Sequence, residues 1–122
     1  MAERIEEFTI DGKNFMYVDV SHIKQNSGFV DVVERVKPLI SKYPEKSVYM
    51  ILNIENIIFD TETKRIAAAG LTHNRPYVKY GTIIGVDGIK RIMFNVVLKI
   101  TGRDMSIFFS KEQAIAWLLK QD

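Results

Sequence analysis

The stretch Val48–Ile54, reading VYMILNI, is the feature that most narrows what this chain can fold into. A strand with one face in water alternates apolar and polar residues. A short, β-branched, nearly unbroken apolar run reads instead as a central strand buried on both faces, which requires helices above and below its sheet. The flanking segments supply them. Phe29, Val32, Val33, Val36, Leu39, Ile40 and Tyr43 recur at helical spacing, opposed by Asp31, Glu34, Arg35 and Lys37. Asn26 or Ser27 is placed to cap this helix, which ends near Tyr43-Pro44; Pro38 predicts a bend or an early break. Downstream, Asp60 or Thr61 caps a helix from about Glu62 to Leu71. Ala67, Ala68, Ala69 and Gly70 make that helix thin enough for close backbone packing, and Thr72 to Pro76 reads as a loop.

The rest follows the same alternation. Glu7–Thr9 and Phe15–Val20 are β-rich and joined through Asp11-Gly12-Lys13, a hairpin signal because Gly accepts the positive φ of the turn. Val78–Val86 predicts a strand, and Asp87-Gly88 turns the chain into a helix from about Ile89 to Thr101 with Gly102 as its C-terminal stop. Met105–Phe109 predicts a short strand. Ser110-Lys111-Glu112-Gln113 is a capping box that opens a last helix, which buries Ala114, Ile115, Trp117, Leu118 and Leu119. The order β-β-α-β-α-β-α-β-α implies a single α/β domain over residues 1–122: a mixed sheet of about five strands, the later ones parallel, with four helices.

Three segments of this frame resemble the SpoIIAA-like branch of the STAS superfamily. They are Thr82 to Val97 (TIIGVDGIKRIMFNVV), Thr101-Gly102-Arg103-Asp104, and Ile107 to Leu118 (IFFSKEQAIAWL). The resemblance implies a STAS-like fold and a non-catalytic signalling or docking module without cofactor, of the kind found in anti-sigma-factor antagonists and at the cytoplasmic ends of anion transporters. The partner it implies is a protein or a second copy in a homodimer. The fold is also similar to CRAL-TRIO lipid carriers, so an apolar ligand and transient membrane contact form a second expectation. Some members are phosphorylated on Ser or Thr in an Asp-Ser/Thr-Ser-Gly motif after a buried strand. The matching place here is Asp60-Thr61-Glu62-Thr63. Glu62 replaces the acceptor and Thr63 the glycine, so the stretch reads either as an ordinary N-capped helix with acids in its first turn or as a place where Glu62 puts a permanent charge in the position of the family's transient phosphate, at a helix end that favours anions.

The residues exclude much chemistry. Without cysteine there is no thiol nucleophile, disulfide or Cys-bound zinc. His22 and His73 stand far apart, in no metal-ligand spacing and with no nucleophile-elbow motif, so both read as loop residues and the chain as no enzyme. A net charge of +2 is too balanced for nucleic-acid binding as a main activity. The segment Met1 to Glu7 is charged rather than apolar and no run approaches a membrane span, which points to the cytoplasm, with peripheral membrane contact left open. Gly85-Val86-Asp87-Gly88 reads as turn and cap rather than a phosphate loop, and Arg75 as part of a solvated loop at the amino end of a strand.

The Ile89–Thr101 helix carries the sharpest expectation. Ile89, Ile92, Met93, Val96, Val97 and Ile100 form one apolar stripe, enough to dock it on the sheet. Phe94 and Leu98 fall off that stripe, beside Lys90, Arg91 and Asn95. Either a neighbouring helix covers them, or Lys90, Arg91, Phe94 and Leu98 form an interaction face for a protein or an anionic membrane. Lys99 and Arg103 suit the negative end of the helix dipole without any partner.

Overall fold

The computed structural model of the chain describes residues 4–122, the side chain of Met93 excepted. Strands β1 (Ile5–Ile10) and β2 (Lys13–Asp19) form the opening hairpin, and Asp11 and Gly12 both take positive φ, as a tight two-residue turn requires. Then come α1 (Asn26–Ile40), β3 (Val48–Asn53), α2 (Thr61–Asn74), β4 (Val78–Ile84), α3 (Gly88–Thr101), β5 (Met105–Phe108) and α4 (Lys111–Leu119). The sheet runs β1-β2-β3-β4-β5, with β1 antiparallel to β2 and every later pair parallel.

Strands laid down in sequence order, joined by crossovers of one hand, put their helices on one face. Accordingly α1, α2 and α3 lie over Met16, Val18, Val48, Met50, Ile83 and Met105. Helix α4 covers the other face, where Ala114 and Leu118 sit fully buried against Phe15, Tyr17, Tyr49, Ile51 and Ile84. On this face Phe8, Phe15, Tyr49 and Tyr80 are successive register partners across four strands, with ring centroids 5.2, 5.7 and 5.8 Å apart. Ile115, Trp117 and Leu119 are only partly buried, because α4 is one short helix over a five-stranded face.

Local signals fixed most boundaries. Ser110 accepts from the Gln113 N–H at 3.1 Å, and the Gln113 side chain reaches back to the Phe109 N–H. Gly102 closes α3 in the left-handed conformation, φ 69°. Two expectations are corrected. Thr72 to Asn74 belong to α2, since nothing before Pro76 interrupts the helix. Helix α1 opens at Asn26 with no side-chain cap; Pro38 has no N–H to donate to Glu34 O, and the helix ends two residues later at Ile40, short of Tyr43.

The helix order also explains an asymmetry. Helix α2 lies between α1 and α3, and α3 forms the outer end of the layer on the β5 side. It packs chiefly on α2, and among the described residues its far side carries exposed side chains: Ile89, Ile92, Val96 and Ile100.

Candidate functional site

Two features meet at α3: a bare apolar face outside it and a cavity on its inner side. The helix starts where Asp87 accepts from the Lys90 N–H at 3.0 Å. It ends where Gly102 turns and the Arg103 N–H bonds back to Leu98 O at 3.0 Å, with the Thr101 hydroxyl donating to Val97 O at 2.9 Å. Between these anchors its rotation is fixed, and the expected stripe is the wrong one. Phe94, Val97 and Leu98 face inward, Phe94 only 3% exposed and edge-on to Phe59 at 5.6 Å between centroids. Ile89 (75%), Ile92 (70%), Val96 (53%) and Ile100 (76%) face solvent. Of the stripe expected to be buried, only Val97 is; Met93 lies outside the described side chains.

The interaction face expected at Lys90, Arg91, Phe94 and Leu98 is therefore corrected. Phe94 and Leu98 belong to the core, where α2 and Phe59 give their larger side chains a seat. Lys90 is largely covered and 3.9 Å from the Asp87 carboxylate. Arg91 is exposed, and at 100° per residue it forms an i, i+4, i+8 row with Asn95 and Lys99 along one border of the solvent-facing stripe. The segment Gly88–Thr101 contains Lys90, Arg91 and Lys99 and no acid.

Between the sheet and helices α1 and α2, with Phe94 of α3 closing one side, lies an apolar cavity of about 60 Å³, bounded by Phe29, Met50, Ile57, Phe59, Phe94 and Met105 among others. Its polar lining residues are Asn74 and Arg103. Arg103 is 9% exposed. Its Nη1 donates to Leu71 O at 2.9 Å, and its Nη2 makes a weak contact with Met105 Sδ at 4.0 Å. It joins no ion pair among the described residues. Burial first, then the positive charge of Arg75, pulls its pKa down to about 10, which leaves it charged at neutral pH. Read from the sequence, Arg103 only matches the negative end of the α3 dipole. Nothing in a Gly-Arg-Asp stretch signals that its arginine turns inward.

The other sequence-derived candidates lie apart from this region. Asp60 caps α2, accepting from the Thr63 N–H at 2.8 Å, and that bond holds its carboxyl below the ordinary range. Thr61 is exposed, whereas Thr63 is 2% exposed and donates its hydroxyl to Asn26 Oδ1 at 2.9 Å. Glu62 pairs with Arg65, so its charge at the helix start is neutralised locally. His22, at φ 62°, contacts Asn56 at 3.2 Å through Nδ1, and His73 contacts Asn74 at 2.9 Å. His22 stands in the loop before α1, whereas His73, expected in a loop, lies in the last turn of α2. Among the described residues no three His, Asp or Glu side chains are grouped to hold a metal ion, and no helix is long and apolar enough to cross a membrane.

No known family profile and no curated protein matches the sequence. Among solved structures, the chain is similar to an uncharacterized protein of the DUF3478 family from Shewanella loihica PV-4, described as having a SpoIIAA-like fold. The TM-score is 0.64 at 16% identity, over 93% of this chain and 91% of that one. The fold expected from the Thr82–Val97 and Ile107–Leu118 segments is thus the fold observed: α/β, SpoIIAA-like, with a five-stranded mixed sheet and four helices.

Proposed function

We propose that this chain is a non-catalytic binding module that docks on an anionic membrane surface through the outer face of α3. The observation that carries this reading is the solvent-facing row Ile89, Ile92, Val96 and Ile100 on a helix whose charged side chains are all basic. Four such residues in register are more than the scattered surface apolar groups of an ordinary protein. Burying an Ile or Val side chain fully contributes about 1.5–3 kcal/mol. A basic side chain near an anionic leaflet adds about 1 kcal/mol. An in-plane helix with an apolar face and a basic border fits that environment. A soluble protein partner, or a second copy of the chain, would use the same stripe, but the uniformly basic border favours an acidic surface over a symmetric one, where like charges would meet.

A second reading rests on the cavity. An apolar pocket between the sheet and α1, α2 and α3 supports binding of a small apolar molecule, independently of what the outer face meets.

The test of docking is co-flotation with phosphatidylcholine vesicles, with and without phosphatidylserine, at low salt. The wild type is expected to float with the anionic vesicles only, and Ile92→Asp with Ile100→Asp to stay behind while remaining folded. Equal flotation of wild type and double variant would overturn the α3 assignment. A wild type that ignores the vesicles but is dimeric by light scattering, and becomes monomeric in the double variant, would replace the membrane with a second copy.

A further inference from the structure

Taking a guanidinium out of water is costly, and buried arginines ordinarily have a carboxylate to offset the cost. Arg103 has none among the described residues. A carbonyl at the end of α2 and a distant sulfur are its side-chain partners. Capping Leu71 would explain an exposed arginine at a helix end, but it does not explain one nine-tenths buried at the edge of an apolar cavity. A second cation is held nearby. Arg75 lies against Gly102, so close that a Cβ there would stand 3.0 Å from its Nη1, and its positive charge adds to the burial that lowers the pKa of Arg103. Space for Arg103 is likewise kept by a glycine. A side chain on Gly81, in the middle of β4, would meet Met105 Cγ at 3.0 Å and the Arg103 Nη2 at 3.4 Å. Two like charges kept close, with hydrogen-bonding capacity to spare and hydrocarbon on the other side, make a place for an anion with an apolar body.

We propose that Arg103, assisted by the charge of Arg75, receives the carboxylate of a small apolar acid whose hydrocarbon end occupies the cavity between the sheet and helices α1, α2 and α3. This deepens the cavity reading given above and rests on it. A carboxylate suits the planar guanidinium, because Nη1 and Nη2 each carry a second N–H beyond the bond to Leu71 O and the weak contact with Met105 Sδ. The cavity sets the length: about 60 Å³ takes a short alkyl end and not a full lipid chain.

The experiment is an NMR titration of the wild-type protein with hexanoate and, separately, with 1-hexanol, which has the same chain and no charge. Hexanoate is expected to shift the amides of Leu71, Gly81, Gly102 and Met105, and to bind at least about tenfold tighter than the alcohol, because hydrogen bonds between charged groups are stronger than those to a neutral hydroxyl. Arg75→Gln, at an exposed position, should fold normally and weaken hexanoate severalfold without affecting hexanol. Arg103→Met should bind both equally; if its loss unfolds the chain, the wild-type pair and Arg75→Gln still decide. Equal affinities in the wild type would overturn the head-group assignment while leaving the apolar cavity reading in place. If neither compound moves those amides, both are wrong.

Discussion

Replacing Phe94 by Ala is the sharpest check on how α3 is seated. Phe94 is 3% exposed, meets Phe59 edge-on and forms part of the cavity wall. Truncating a buried Phe costs about 3–5 kcal/mol, from lost transfer energy and the hole left behind. The existing cavity means Phe94 already lacks neighbours on one side, so the lower end, about 3 kcal/mol, is expected. Total stability for a domain is about 5–15 kcal/mol, so this is a large share of it. With a urea slope of about 1–3 kcal/mol per molar, the midpoint should fall by at least about 1 M. Ile100→Ala provides the internal control. Ile100 is 76% exposed, so truncation removes little burial, and Ala is the better helix former. Its midpoint should stay within the change ordinary for surface positions, about 0.5 kcal/mol. Urea unfolding followed by circular dichroism measures both. If Ile100→Ala proves as damaging as Phe94→Ala, the helix is seated on the opposite stripe, and the docking face and the cavity wall both fall with it.

Two further outcomes test the frame around the site. Gly85 takes φ 85°, and a Cβ there would stand 2.5 Å from Glu55 N, so Gly85→Ala should destabilise by at least about 2 kcal/mol. Gly88, with open space around it and an ordinary φ, should tolerate Ala or gain up to about 1 kcal/mol; thermal melts of the pair check this, and equal behaviour would contradict the turn geometry. Burial, and then the hydrogen bond Tyr43 donates to the Glu7 carboxylate at 2.8 Å, pushes the Tyr43 phenol up to about 12. Because the folded-state value is raised above the ordinary 10.0, the stabilisation is complete below pH 10 and disappears as pH rises toward 12. Phenolate absorbance of the wild type minus that of Tyr43→Phe should show one tyrosine titrating late, and a difference curve centred at the ordinary value would refute the contact.

What was legible in the sequence was whatever local chemistry determines. Asp11-Gly12, Asp87, Gly102 and Ser110 each act within a few residues, and each stands where its pattern placed it. The unalternating Val48–Ile54 run fixed a doubly covered strand, because only helices on both faces can cover it. The face of α3 was not legible for a physical reason. Ile89, Ile92, Phe94, Val96, Val97, Leu98 and Ile100 nearly encircle the helix, so periodicity permits two stripes and ranks them by hydrophobicity alone. The choice between them is made by the ends. Gly85 is pinned against Glu55, and Arg103 is drawn in to the Leu71 carbonyl, so the segment between them has one rotation that closes both. That rotation puts Phe94 against Phe59 and leaves the more hydrophobic stripe outside. An arginine whose burial is visible only in three dimensions thus sets the face the helix presents to solvent.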